Sequence, residues 1–281
     1  MTKERSKKVN EHLSALKVEQ PPIYDGKRKT VFKISEKDTA FCDKVAEVFK
    51  DVEGAMCVDN LRLTSALFAL FDCEIDVPSH VYDPCFDSHV LVADYCTPIA
   101  KPNPKTGKAV DVEWTLRNIG KNGEEFLKKN GLPFLEQLIK INHEKSPLAD
   151  SKQLTKVYGV EEEVFQECKS DSYRIMDYFT ELVEKSSIGQ RLRLNVHDLT
   201  IEFGRRRHGA TVLIGGISTN SFRISSEKTR KTATQFLGGD QAYEIMKLAI
   251  KERMNDLLMD SEYQRIFGNQ QKTNKNFKEK N

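Results

Sequence analysis

Apolar residues along this chain recur with two different periods, one typical of helices and one typical of strands. Segment 60–75 is apolar on more than one side of a helix and predicts a buried helix. Segment 36–56 has apolar residues at helical spacing on one side only and predicts an amphipathic helix. Segment 30–35 alternates between apolar and polar residues, which predicts a short strand.

The rest of the chain continues this mixture of helices and strands. Strand-like segments, rich in valine or alternating in polarity, are 88–96 and 108–116. Helical spacing is found in segments 123–144 and 151–185, and in the two parts of segment 225–267 that Gly238 and Gly239 separate.

A β-hairpin is the most distinct local feature of the second half. Residues 200–216 have the sequence TIEFGRRRHGATVLIGG, in which two apolar strands flank a turn of three arginines and a histidine at 205–208. The whole pattern predicts an α+β fold of mixed helices and short antiparallel strands, with a β-hairpin near residues 190–218 flanked by helices.

Breakers and composition divide the chain into four predicted parts. These are a basic mobile arm at 1–29, a mixed α/β N-terminal part at 30–120, a helix-hairpin-helix C-terminal part at 121–267 and a disordered basic tail at 268–281.

Composition is that of an ordinary globular protein. The 281 residues are 38% hydrophobic and 31% charged, enough for a sizeable core. The chain has no run of 18 apolar residues, so no membrane span is predicted, and the N-terminus lacks an export signal. We therefore expect a cytoplasmic protein without a membrane partner, in which the six cysteines are reduced.

Charge is segregated along the chain although the net charge is only +2. Residues 33–184 have 18 Lys and Arg against 28 Asp and Glu, whereas residues 185–231 have 10 against 3. A local field of one sign can attract a polyanion. The alternative is that the acidic and basic regions pair with each other, within the fold or between subunits.

The basic region supplies the candidate binding residues. Arg191 and Arg193 would share one face of a strand, because strand side chains repeat every two residues. Arginine binds phosphate through two parallel hydrogen bonds. The predicted nucleic-acid-binding residues are Arg191, Arg193, Arg205, Arg206, Arg207, His208, Arg223, Lys228, Arg230 and Lys231. They predict a sequence-tolerant nucleic-acid-binding protein, for DNA or RNA, unless the turn is only a solvated one.

Segment 153–168 has the outline of a helix-turn-helix centred on Gly159. Three glutamates, residues 161–163, would begin its recognition helix and face phosphates of like charge. The segment therefore favours a plain pair of helices over a DNA-reading unit.

Metal sites have weak support, and we expect no cofactor. Five potential zinc ligands lie within 24 residues but lack paired spacing: Cys73, His80, Cys85, His89 and Cys96. Acids that could bind a divalent metal are Asp150 with Glu167 and Lys169, and the series Glu74, Asp76, Asp83, Asp87, Asp94, Asp111 and Glu113.

Two other function classes remain open. One is a metal-dependent nuclease or other phosphate-processing enzyme, in which the same arginines steer the substrate. The other is a structural protein that self-associates through complementary acidic and basic surfaces. Gly204 and Gly209 have the spacing of a phosphate-binding loop, but Ala210 replaces its lysine and a strand follows, which excludes that kind of nucleotide site.

Overall fold

Two antiparallel sheets and a set of helices form the described part of the chain. The computed structural model describes residues 3–25, 29–35, 43–50, 58–83, 90–107, 110, 112–117, 137–141, 148–149, 151–228 and 236–259. The helices are α1 (Lys3–Ala15), α2 (Val58–Ile75), α3 (Ser151–Tyr158), α4 (Glu162–Glu184), α5 (Ser187–Leu192) and α6 (Gly239–Met259).

The first sheet has five strands in the order β1-β2-β3-β5-β4. Its strands are β1 (Tyr24–Asp25), β2 (Lys29–Lys33), β3 (Lys44–Phe49), β4 (Val81–Asp83) and β5 (Leu91–Asp94). Val9 and Leu13 of α1 are buried against Ala46 and Val48, so this helix covers one face of the sheet. The other face of β3 contacts α2, through Phe49 and Leu61.

The second sheet has seven strands and is organised around β10. Its strands are β6 (Thr97–Pro98), β7 (Val112–Arg117), β8 (Gln137–Ile141), β9 (Leu148–Ala149), β10 (Leu194–Arg205), β11 (Thr211–Ile214) and β12 (Phe222–Ser226). The main path runs β11-β10-β7-β8-β9, and β12 and β6 also pair with β10. Twelve residues long, β10 therefore pairs with four other strands.

The main core lies between the second sheet and helices α2, α4 and α6. Trp114 of β7 is fully buried there, with its ring against Phe165 of α4 and Phe203 of β10. Burial of large aromatic side chains is the main driving force for docking the helices on this face.

Residues 78–80 connect the two sheets. They run alongside β11, where Leu213 N donates to Pro78 O at 2.9 Å and His80 N donates to Leu213 O at 2.9 Å. Residue 81 then enters β4 of the first sheet. The hairpin and the first sheet are thus joined by backbone hydrogen bonds.

The predicted α+β fold and the predicted hairpin are confirmed: β10 and β11 pair antiparallel around a turn at residues 206–210. The buried helix of segment 60–75 corresponds to α2. Segment 153–168 forms parts of α3 and α4, with Gly159 between them at φ +61°, and is a plain pair of helices.

The predicted amphipathic helix at 36–56 is wrong in its described part, which is β3. Residues 45–49 of this strand are all buried, because β3 is central in its sheet and is covered on both faces. A strand buried on both faces does not alternate in polarity, so its apolar residues also match helical spacing.

Two other predicted helices are also wrong, because strands occupy part of each segment. Residues 137–141 form β8 rather than the end of a helix. Ser225 and Ser226 end β12, a turn follows at residues 227–228, and Leu237 N donates to Ile224 O, so the described residues before Gly238 are not helical. Within the ranges given above, no helix is long and apolar enough to cross a membrane. The predicted tail at 268–281 lies outside the described residues.

Candidate functional site

One face of the second sheet is polar where β7 and β10 pair. Thr200 lies opposite Thr115, and Glu202 lies opposite Glu113, so these four residues share one face. The hydroxyl oxygens of the two threonines are 3.0 Å apart. The intervening residues, such as Trp114, face the core. We call Glu113, Thr115, Asp198, Thr200, Glu202 and Arg223 the polar face.

Arg223 and Asp198 form one end of the polar face. They are paired in register between β12 and β10, and Nε of Arg223 donates to Oδ2 of Asp198 at 2.7 Å, with Nη2 also donating to that oxygen. Asp198 is buried, whereas the Arg223 side chain is 50% exposed. The hydrogen bond to Asp198 raises the pKa of the guanidinium. This end therefore presents to solvent a half-exposed guanidinium whose orientation is fixed by a buried carboxylate.

A small cleft forms the other end of the polar face, between β10, the end of β11 and α2. It is lined by Phe68, Thr200, Ile201, Glu202, Ile214, Gly216 and Ile217. Its interior has no room for a water-sized molecule, so it is a shallow depression and not an enclosed pocket. A ligand would therefore rest over these residues, with one of its groups against them.

Gly215 and Gly216 set the width of this cleft. Gly215 has φ +79°, a conformation that favours glycine, and a Cβ there would lie 2.8 Å from Oε2 of Glu202. A Cβ on Gly216 would overlap the ring of Phe49 from the first sheet. Gly216 therefore allows the two sheets to approach each other, and Gly215 leaves room for the carboxylate of Glu202.

Beside the cleft, Lys29, Glu47 and His80 form a buried ion network. Nζ of Lys29 donates to Oε1 of Glu47 at 2.6 Å, and Nε2 of His80 lies 3.2 Å from Oε2. Burial acts to raise the pKa of Glu47, but Lys29 and His80 outweigh it and lower that pKa to about 2. The other ring nitrogen of His80, Nδ1, lies 3.0 Å from Leu213 O. Both ring nitrogens thus lie near oxygen atoms of the protein.

Arg206 and Asp94 extend this network to the hairpin turn. Nε of Arg206 is 3.0 Å from Oδ2 of Asp94, and Nη2 donates to Ser79 O at 2.8 Å. Burial is the main cause that raises the pKa of the nearby Cys96 to about 12, so its thiol is protonated. We call Lys29, Glu47, His80, Asp94 and Arg206 the inter-sheet ion cluster, because it joins the first sheet to the hairpin turn of the second.

The structure distributes the ten predicted binding residues over several environments. Arg205 pairs with Glu161 at 3.0 Å, and Arg206 and Arg223 pair as described above. Arg191 lies in α5 and Arg193 is its left-handed cap, so the prediction that both lie on one strand is wrong. Exposed residues of the set are Arg191, Arg193, Arg207, His208, Arg223 and Lys228. Arg230 and Lys231 lie outside the described residues.

The acidic and basic regions therefore pair in part within the fold. Arg205 and Arg206 belong to the basic region, and their partners Glu161 and Asp94 belong to the acidic one. This is the alternative that the charge segregation left open.

Within the described part of the chain, the candidate metal ligands do not lie together in one site. His80 contacts Glu47 and Leu213, and Cys73, Cys96 and Cys168 are free thiols. Among the described residues no group of three His, Cys, Asp or Glu could hold a metal ion. Other candidates lie outside those residues: Cys85, Asp87, His89, Asp111 and Asp150.

The site residues predicted from the sequence do not include Thr200, Glu202, Gly215 or Gly216. The signal was present in DLTIEF, residues 198–203, whose polar members alternate with apolar ones. A pattern of this kind indicates a strand with one polar face. It does not show that β7, about 85 residues earlier, places its own polar residues beside it.

Comparison with known proteins identifies a family for the region that contains both sheets. A family model described as SAICAR synthetase matches residues 22–242, well over half of the chain. No curated protein sequence matches the chain.

Solved structures show the same fold. The chain is similar to phosphoribosylaminoimidazole-succinocarboxamide synthase from Ehrlichia chaffeensis, with 18% identity, a TM-score of 0.53, and coverage of 85% of this chain and 97% of that one. A SAICAR synthetase solved in complex with ADP has 18% identity, a TM-score of 0.53, and coverage of 81% and 96%.

These findings correct the predicted function. The matched family consists of enzymes, so the expectation of a nucleic-acid-binding protein with DNA or RNA as its partner is wrong. The physical reason is that a basic stretch in sequence is not a basic surface. Two of its arginines at the turn are neutralised by carboxylates of the same chain.

Proposed function

The chain belongs to the SAICAR synthetase family, and on that premise we propose that it forms an amide bond at the expense of ATP. The product named in the similar enzyme is a succinocarboxamide of a phosphoribosyl aminoimidazole. The reactants would then be the corresponding imidazole carboxylate and the amino group of aspartate. The ADP in the related structure supports ATP as the third substrate.

The chemistry requires activation of the carboxylate. A carboxylate oxygen attacks the γ-phosphorus of ATP, which forms an acyl phosphate and releases ADP. The aspartate nitrogen then attacks the carbonyl carbon, a C–N bond forms, and inorganic phosphate leaves with the former carboxylate oxygen. The nitrogen must lose protons for this attack, so a base near the carbonyl carbon accelerates the step.

The polar face suits an elongated substrate with an anion at one end. Asp198 and Glu202 are four residues apart on β10, about 13 Å along an extended strand. We place the phosphate of the substrate at Arg223, whose planar fork suits two phosphate oxygens. The ribose and imidazole ring would then lie over Thr200, and the reacting carboxyl group would reach the cleft.

Glu202 is the carboxylate that lines the cleft, and we assign it the role of base toward the attacking amine. It lies beside Gly215, whose lack of a side chain leaves room at its carboxylate. Glu113, opposite in register, adds a second negative charge on the same face. Two carboxylates favour the positive charge that develops on the amine during attack.

The arginines that do not line the polar face have a separate proposed role. Arg191, Arg193 and Lys228 are exposed, and we propose that they raise the local concentration of anionic substrates. We further propose that the enzyme works in the cytoplasm, where thiols such as Cys73 stay reduced.

The family match over residues 22–242 is the observation that carries the proposed function. The test is to incubate the purified protein with ATP, L-aspartate and the phosphoribosyl aminoimidazole carboxylate. We expect ADP release and a product with the mass of the amide, both dependent on all three substrates. ADP release without the amide, or no turnover with any combination of the three, would overturn the proposal.

A further inference from the structure

Phe236 is an exposed aromatic residue that contacts the arginine of the polar face. The residue is 37% exposed, and Cζ of Arg223 lies over its ring at 5.0 Å from the centroid. The ring of His197 meets Phe236 edge-on, with centroids 5.1 Å apart. Leu237 N donates to Ile224 O, which anchors the backbone beside Phe236 to β12. The ring is therefore fixed under the guanidinium.

These contacts immobilise Arg223 in one orientation. Asp198 accepts hydrogen bonds from Nε and Nη2, and Phe236 covers one face of the guanidinium plane. Among the described residues, Nη1 has no hydrogen-bond partner, and the side chain is half-exposed, so this nitrogen is able to donate to an anion in solution. An arginine fixed before binding loses less side-chain entropy when an anion arrives.

We infer that Phe236 is a positioning residue for the anionic group of the substrate, an inference that rests on the proposed function. It would act through Arg223, by cation–π contact, and would not touch the reacting atoms. A single exposed apolar side chain needs no functional explanation by itself. Phe236 differs because its ring lies against Arg223. Arg223 is the half-exposed arginine of the polar face, and the buried carboxylate of Asp198 anchors it.

The variants separate the π-face from simple packing. F236L keeps apolar volume but removes the π-face, F236A removes both, and F236Y keeps the ring. L248A removes an exposed apolar side chain on α6, far from Arg223 in the sequence, and serves as the matched control. Thermal unfolding of all four verifies that they fold.

The readouts are steady-state kinetics and direct binding of ribose 5-phosphate by calorimetry. For F236L and F236A we expect KM of the phosphoribosyl substrate and Kd of ribose 5-phosphate to rise about two- to fivefold, the change that an exposed cation–π contact corresponds to. Both should leave kcat and KM of ATP unchanged. F236Y and L248A should resemble the wild type.

A rise in KM that is equal in F236L and L248A, or equal for all substrates, would overturn the inference. If the wild type makes no amide, the proposed function fails, but the ribose 5-phosphate titrations still decide the role of Phe236. If the wild type makes the amide and F236L binds ribose 5-phosphate like the wild type, only the role of Phe236 is refuted.

Discussion

The inter-sheet ion cluster and the polar face contain the same kinds of side chains but use them differently. In the cluster, Glu47 lies between Lys29 and His80 and is almost inaccessible to water. On the polar face, Arg223 is anchored by a buried carboxylate and still presents half of its surface. Charges that the chain itself neutralises stabilise the fold, whereas a charge that is anchored on one side can bind a ligand on the other.

Glu47→Gln should give the largest effect, and it should be an effect on stability. The change leaves Lys29 and His80 beside a neutral group, and breaking a buried ion pair costs about 3–5 kcal/mol. We expect the lower end of that range, since the exposed fraction of Lys29 gives it some access to water. Denaturant unfolding measures the effect. Glu181→Gln, in an exposed pair with Lys185, is the control and should cost under about 1 kcal/mol.

Acid should weaken the same cluster in the wild type. The pKa of Glu47 is lowered from 4.5 to about 2, so the unfolded chain binds this proton more tightly than the folded one. The stabilisation is fully present above about pH 4.5 and is lost as the pH falls toward 2. Its size is on the order of 3 kcal/mol. Unfolding free energies measured between pH 6 and 2.5 should therefore fall less steeply in Glu47→Gln, and parallel curves would contradict this assignment.

Glu202→Gln should have the opposite signature, with activity lost and stability kept. Removal of a general base costs about 100-fold or more in kcat. The side chain is half-buried at the edge of the cleft, so we expect unfolding to change by less than about 1 kcal/mol. Kinetics with saturating substrates and thermal unfolding measure the two effects. A kcat within threefold of the wild type would remove Glu202 from the proposed mechanism.

The three arginines of the turn should differ in a fixed order. Arg206→Ala breaks contacts with Asp94 and Ser79 and should cost about 1–2 kcal/mol. Arg205→Ala breaks a pair with Glu161, whose side chain is 62% exposed, and should cost about 0.2–1 kcal/mol. Arg207→Ala changes an exposed residue and should stay within about 0.5 kcal/mol. Equal losses of stability in all three variants would contradict this order and its dependence on the individual contacts of each arginine.

The sequence correctly predicted elements whose pattern is complete within one short segment. The hairpin, α2 and the pair α3 and α4 were predicted because their periodicity and breakers lie within one segment. The strands β3 and β8 were not, because burial on both faces or a short apolar run removes the alternation that identifies a strand.

The candidate site was predicted only in part, for a related reason. Charge patterning selected Arg206 and Arg223, but their partners Asp94 and Asp198 are fixed by strand pairing that the sequence does not display. Glu202 and Thr200 form a polar site only together with Glu113 and Thr115, which β7 places opposite them. Residues with ordinary local patterns form the site because the sheet brings distant segments into register.

The pairing of β10 with four other strands limits how this chain can diverge. Within residues 198–202, where β10 pairs with β7 in regular register, insertion or deletion of one residue would turn polar side chains of this face toward the core, because side chains there alternate with every residue. Loops of the protein can change length without this penalty. Descendants of such a sequence should therefore vary in their loops while the length of β10 stays constant.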